Sequence, residues 1–254
     1  MNNFSEVGHA KNVANLEDLI SYCTGYGVTY NPSQPAIMLA NLNTLKTNAD
    51  AAIANVVTTF NAFKNATNDR EIAFLPIKKL TTRIINALKA SGVSEQTMKD
   101  AKTINRKMQG KLTKADSGKN AEQNMVNKIA LPNNPLPVVN PISTSQQSYD
   151  SLIEHFSKLI DLLNSIPAYA PNENDLTIGS LNVMLTNMKT TNTAVINATT
   201  NVSNNRISRN VLLYTAVTGL VDIALEVKSY VKSVFGGTSA QYKQVSKLQF
   251  KKLK

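Results

Sequence analysis

The chain has 254 residues, a formal net charge of +10, one cysteine and no tryptophan. A single cysteine excludes an intramolecular disulfide, and the small numbers of glycine and proline speak against a β-rich protein of this length. The positive charge points, weakly, to an anionic partner. The first residues show no signal-peptide pattern, and no run of about 18 uncharged apolar residues occurs. We therefore expect a soluble cytoplasmic protein, while export by a dedicated injection or lysis route stays open.

The first predicted elements are a leading amphipathic helix and a long second helix. One apolar face of the leading helix is formed by Leu16, Leu19, Ile20 and Cys23. The second helix has apolar or small residues at seven-residue intervals: Leu42, Ala49, Val56 and Phe63. This spacing is typical of a helix that packs at a shallow angle, and a run of about 30 residues gives a length of about 45 Å.

The asparagine-rich stretch "KNATNDRE" predicts a hairpin turn after the long helix, because asparagine tolerates positive φ and competes with helical hydrogen bonds. A third helix is expected from Pro76 to about residue 90, with Gly92 after it and Ser94 as the N-cap of a fourth helix. The fourth helix has an apolar stripe made of Met98, Ala101, Ile104, Met108 and Leu112. Its basic residues therefore face solvent.

The second half of the chain repeats this order after the proline-rich stretch "ALPNNPLPVVNPISTS", which cannot be helical. A leading helix is indicated by Leu152, Phe156, Leu159, Ile160 and Leu163. A long helix is indicated by Leu181, Met188, Val195 and Val202. A turn is predicted at "SNNRISRN", then a helix over about 218–235, and then a final basic helix that Ser239 caps.

Internal similarity relates the two halves. A shift of 139 residues aligns 30–94 with 169–233 without a gap, with 12 identities in 65 positions. We predict a tandem duplication; a chance alignment of two Asn- and Thr-rich helices is the alternative. The expected fold is all-α, an elongated up-and-down helical bundle of two duplicated units, 1–130 and 145–254, joined by a connector at 131–144. We favour one compact body with a pseudo-twofold axis over two separate domains.

Catalytic signatures are lacking in the sequence, which has no P-loop, no GxGxxG and no zinc spacing. Cys23 is expected to be a buried small residue rather than a nucleophile. Asp150, Glu154 and Asp161, adjacent to His155, are expected to form a solvated helix face rather than a metal site. The sequence therefore predicts neither an enzyme nor a cofactor.

Basic residues are the strongest sign of a partner. Arg70 and Arg209 continue the seven-residue series, where we expect them to cap helix ends or to form anion sites at equivalent tips. The other candidate anion- or partner-binding residues are Lys99, Lys102, Arg106, Lys243, Lys247 and Lys251. Phosphate contacts would allow nucleic-acid binding, but the scarcity of aromatic residues argues against base stacking.

Three stretches resemble an uncharacterised all-helical tandem-repeat protein family of Bacteroidetes bacteria. They are "GHAKNVANLEDLISYCTGYGVTYNPS", "REIAFLPIKKLTTRIINALKASGVSEQTMKDAKTINRKMQGK" and "SRNVLLYTAVTGLVDIALEVKSYVKSVFGGTSAQYKQVSKLQF". The resemblance implies a bacterial origin and no particular activity.

The function expected from the sequence is that of a non-enzymatic binding or structural protein that engages another protein or copies of itself. One alternative is a basic helical nucleic-acid-binding protein. The other is a membrane-active helical protein of the pore-forming type, suggested by "VLLYTAVTGLV".

Overall fold

The computed structural model describes residues 6–110 and 147–252 of the chain. Within these ranges every regular element is helical, which confirms the predicted all-α class. The predicted connector at 131–144 and Leu112 lie outside the described residues.

The described helices follow the same order in both halves of the chain. Those before the gap are α1 (Val7–Gly25), α2 (Leu39–Phe74), α3 (Ile77–Ala90) and α4 (Glu95–Gln109). Those after it are α5 (Tyr149–Asn164), α6 (Ile178–Tyr214), α7 (Leu220–Phe235) and α8 (Ala240–Ser246). Short 3-10 helices lie at Gly27–Thr29, Pro35–Ile37 and Asn174–Leu176.

Local sequence signals fix several helix ends as predicted. The Ser94 side chain accepts a hydrogen bond from the Thr97 amide at 3.2 Å, and Ser239 accepts one from the Tyr242 amide at 3.1 Å. These bonds satisfy an amide that the first helical turn leaves unpaired. Gly92 follows α3 with a φ of 72°, a conformation that favours glycine.

The two long helices are continuous through the stretches predicted to be turns, so that prediction is wrong. Both "KNATNDRE" in α2 and "SNNRISRN" in α6 are helical, and the helices contain 36 and 37 residues. Asparagine is accommodated because its side chain bonds within the helix: Asn205 Nδ2 donates to the Asn201 carbonyl at 2.9 Å. The helices end instead just before Pro76, which disfavours a helical residue before it, and before Val217, whose φ is 71°.

The seven-residue positions of both long helices are buried, as predicted, with Phe63 less so than the others. The structure divides into two compact units, one made of Met1–Asn65 and Ile196–Lys254 and the other of Ala66–Val195. Each unit therefore draws on both halves of the chain, because α2 and α6 each contribute residues to both. The units and the predicted repeats are different divisions of the chain.

Each unit has its own apolar core. In the first unit the buried faces of α1 and α7 meet residues from the start of α2 and the end of α6. In the second unit the buried faces of α3, α4 and α5 meet residues from the end of α2 and the start of α6. The predicted apolar faces of α1 and α5 lie in these cores, which confirms both.

A matched hydrogen bond precedes each long helix. The Tyr30 hydroxyl donates to the Ile37 carbonyl at 2.6 Å, and the Tyr169 hydroxyl donates to the Leu176 carbonyl at 2.9 Å. The same shift of 139 residues still places the buried Ile84 and Leu88 of α3 on the buried Ile223 and Val227 of α7. The ungapped alignment fails only after these helices, because α3 ends at Ala90 whereas α7 continues to Phe235. Ser233, for example, lies inside α7, whereas Ser94, its predicted counterpart, caps a helix.

Candidate functional site

Arg70 lies inside α2 and does not cap a helix end, so the predicted capping role is wrong. Its guanidinium carbon is 3.9 Å from the centroid of the Tyr149 ring. Its Nη1 donates to Asn192 Oδ1 at 3.2 Å, and Asn192 Nδ2 donates to Asp150 Oδ1 at 2.7 Å. Arg70 therefore links α2 to α5 and α6 within the second unit.

Arg209 also lies within a helix, in a more buried place, and the capping prediction fails here too. The residue is 5% exposed, and its Nη1 pairs with the Glu6 carboxylate. Asn210 Oδ1 accepts further hydrogen bonds from Nε at 3.1 Å and from Nη2 at 2.8 Å. A buried guanidinium that is already neutralised is poorly suited to bind a free anion.

The remaining basic candidates are divided between the units. Lys99 and Lys102 are exposed on α4 in the second unit, and Arg106 is half-buried there. Lys243, Lys247 and Lys251 are exposed in the first unit. An anionic partner for these residues stays a prediction.

The final basic helix is shorter than predicted, and the chain after it takes a different form. α8 ends at Ser246, and residues 247–252 lack helical structure beyond a turn at 247. We call residues 247–252 the extended segment. Leu248 and Phe250 alternate with exposed neighbours and pack against the core of the first unit, as expected for an extended chain.

Two asparagines of α1 hold one edge of the extended segment by its backbone. Asn12 Nδ2 donates to the Lys251 carbonyl at 2.9 Å, and the Lys251 amide donates to Asn12 Oδ1 at 3.0 Å. Asn15 Nδ2 donates to the Gln249 carbonyl at 2.7 Å. Both asparagines are buried, so these bonds also satisfy polar groups that are removed from water.

The opposite edge of the segment is held by α7. Lys228 Nζ donates to the Leu248 carbonyl at 2.9 Å, and it also donates at 3.2 Å to the carbonyl of Ser246, the last residue of α8. Burial lowers the pKa of Lys228. Lys252 Nζ lies 2.8 Å from Asp222 Oδ1, and this contact is the main cause of the lowered pKa of Asp222.

The groove that holds the extended segment was missed by the sequence analysis. Its walls are α1 and α7, and a cavity of about 470 Å³ beside it is lined by ten residues, among them Lys11, Asp18 and Leu248. The available signal was the presence of Asn12 and Asn15 on the otherwise apolar face of α1. Buried polar residues at such positions imply a polar partner.

Neither candidate for catalytic or metal chemistry is supported by the described geometry. Cys23 is fully buried, as expected, and burial raises the pKa of its thiol to about 12, which disfavours the reactive thiolate. His155 is buried, and among the described residues no group of acidic, histidine or cysteine side chains is arranged to hold a metal ion. In the same ranges, no helix has the length and apolar character needed to cross a bilayer.

Comparison of the chain with protein-family models, with curated proteins and with solved structures finds no match. The resemblance to a Bacteroidetes family therefore stays a prediction.

Proposed function

We propose that this chain is a non-enzymatic, tandemly duplicated helical protein that acts by protein-protein contact, with copies of itself as the favoured partner. The order of helices, repeated in both halves, supports the duplication. So does the matched tyrosine hydrogen bond before each long helix.

The observation that carries the proposal is a set of exposed apolar residues at matched positions on the two long helices. Val57 and Ile72 on α2 correspond to Ile196 and Val211 on α6, and all four are between 47% and 68% exposed. Exposed apolar residues that occur singly need no explanation. Their occurrence at the same positions in both helices supports a shared role in binding.

On α6 two of these residues, Ile196 and Val211, share one face of the first unit with Ile207, and we call these three residues the exposed stripe. Polar residues, Thr200 among them, lie between Ile196 and Ile207 on this face. Ile196, Ile207 and Val211 are all exposed and fall within about 60° of the helix circumference at about 100° per residue. The opposite face of the helix is buried and includes Val202 and Arg209. The stripe thus presents apolar side chains to solvent, which favours association with another apolar surface.

Sedimentation velocity over a wide range of concentrations tests this proposal. The wild-type chain is expected to self-associate, and Ile207→Glu should weaken the association at least tenfold because it places a charge within the stripe. Asn201→Glu is the matched control, since residue 201 is exposed on the same helix about 110° away from the stripe. A wild-type chain that stays monomeric and recovers no partner from cells would contradict the proposal.

A further inference from the structure

The extended segment is bound in the manner of a peptide ligand. Successive carbonyl groups of an extended chain point to opposite sides. Within the segment, the carbonyls of Gln249 and Lys251 are held by α1, and the carbonyl of Leu248 is held by α7. Recognition of both backbone edges, with apolar side chains at alternate positions packed below, is the pattern by which proteins bind extended peptides.

We propose that this groove between α1 and α7 is a binding site for the extended basic segment of a second copy of this chain, and that residues 247–252 occupy it intramolecularly. The identity of the second copy as the partner rests on the self-association proposed above. The structure shows the chain's own residues 247–252 bound in the groove, and every copy of the chain carries this sequence. Exchange of an identical element between copies is a low-cost route to association.

The attachment of the segment is suited to exchange. Its two inward side chains, Leu248 and Phe250, are only partly buried. It follows a helix of seven residues, so little structure has to move when it leaves. The ion pair of Lys252 with Asp222 is more than half exposed on the lysine side, and therefore it adds selectivity for a basic segment more than it adds affinity.

The second unit offers an internal comparison. There α4 packs on α3 and α5, and it remains helical over 15 residues. The buried faces of α1 and α5 coincide at a shift of 140 residues, which places Leu152 and His155 of α5 opposite Asn12 and Asn15 of α1. A helix satisfies the hydrogen bonds of its own backbone, whereas an extended chain needs partners from elsewhere in the protein. The two asparagines of α1 occur in the unit where the chain is extended.

Peptide binding to the full chain tests the groove. A labelled peptide of residues 246–252 (SKLQFKK) represents the segment of a second copy, and fluorescence anisotropy measures its affinity. In the wild-type chain the intramolecular segment competes at a high effective concentration, so binding should be weak. Phe250→Ser weakens that competitor without shortening the chain and should raise the affinity for the peptide at least tenfold.

The second variant identifies the site of binding. Asn12→Ala, added to Phe250→Ser, should lower the affinity for the peptide at least tenfold, because it removes both hydrogen bonds to one residue. Asn43→Ala is the control, since Asn43 is an exposed asparagine of the first unit that bonds within its own helix. If circular dichroism shows that Asn12→Ala does not fold, Lys228→Met replaces it. This substitution removes the hydrogen bond from α7 to the segment and should also lower the affinity for the peptide at least tenfold.

Three results would overturn the proposal: equal peptide affinity in the wild type and in Phe250→Ser, binding that is unaffected by loss of the groove contacts, or equal binding of the peptide SKSQSKK. That last peptide has the same charge but lacks both apolar side chains, so it detects non-specific attraction to acidic surface. Ile207→Glu should leave peptide binding unchanged. Phe250→Ser and Asn12→Ala therefore test peptide binding in the groove, whereas Ile207→Glu tests the proposed self-association. A failure of one proposal can thus be distinguished from a failure of the other.

Discussion

Breaking the buried ion pair of Glu6 with Arg209 tests how the first unit holds the start of α1 against α6. Loss of one partner from a fully buried pair costs about 3–5 kcal/mol, because the remaining charge has lost its water. The Glu6 side chain keeps 21% of its exposure, and Arg209 retains Asn210 as an acceptor. We therefore expect Glu6→Gln to lower the free energy of unfolding by about 2 kcal/mol, below the fully buried range.

A double-mutant cycle separates the pair from its surroundings. Arg209→Met should cost about 1–2 kcal/mol, because the remaining carboxylate is partly hydrated. Glu6→Gln added to Arg209→Met should then cost little, which gives a coupling energy of about 1.5 kcal/mol. The measurement is urea unfolding followed by circular dichroism at neutral pH, with the slope against urea unchanged.

Two controls decide the interpretation. Glu71→Gln removes an exposed carboxylate from α2 and should change the stability by less than about 0.5 kcal/mol. Arg70→Met removes the matched arginine, which contacts a ring and an amide rather than a carboxylate, and should cost about 1 kcal/mol. If Glu6→Gln behaves like Glu71→Gln, or if the two changes at the pair are additive, the buried ion pair is not what holds α1 to α6.

Two further predictions concern backbone strain and pH. Val217 is 67% exposed with a φ of 71°, so Val217→Gly should raise the free energy of unfolding by about 1 kcal/mol, whereas Val211→Gly within α6 should lower it. Burial, followed by repulsion from Lys107, lowers the pKa of folded His155, whereas the unfolded imidazole takes up a proton near pH 6.5. The unfolded state thus binds more protons below that pH, and stability falls as the pH falls through about 6.5. His155→Gln should flatten this dependence in urea titrations from neutral to mildly acidic pH, and an unchanged slope would contradict it.

Features encoded locally were predictable from the sequence. The seven-residue series of α2 and α6 and the serine caps of α4 and α8 follow from helix geometry and from the unpaired amides at helix starts. They require no knowledge of which helices meet. The same holds for the apolar faces of α1 and α5, which are set by spacing alone.

The predicted turns failed because packing outweighed local preference. Asparagine disfavours a helix interior by only a few tenths of a kcal/mol, up to about 0.7 kcal/mol per residue. Against this, α6 continues through its asparagines, and Val202, Arg209 and Leu213 along this part of the helix are all buried. The seven-residue series of α6 continues without interruption from Val202 to Arg209. This continuity predicted the extent of the helix better than the asparagines did.

The sequence did not predict which helices pack together in each compact unit, and the reason is a different one. Every helix could be placed along the chain, but whether α1 packs with α3 or with α7 depends on contacts between distant residues. Both choices bury similar apolar faces, so the pattern of apolar residues does not distinguish them. In the structure α1 packs with α7, and each unit combines segments from both halves.

The extended segment shows how two polar residues can decide the conformation of a distant stretch of chain. The sequence "SKLQFKK" fits a helix poorly, because Leu248 and Phe250 are two residues apart and would lie on different faces. An extended conformation brings both to the core but leaves carbonyl and amide groups without helical partners. Asn12 and Asn15 on one side and Lys228 on the other supply those partners, and they thereby favour an extended chain over a helix.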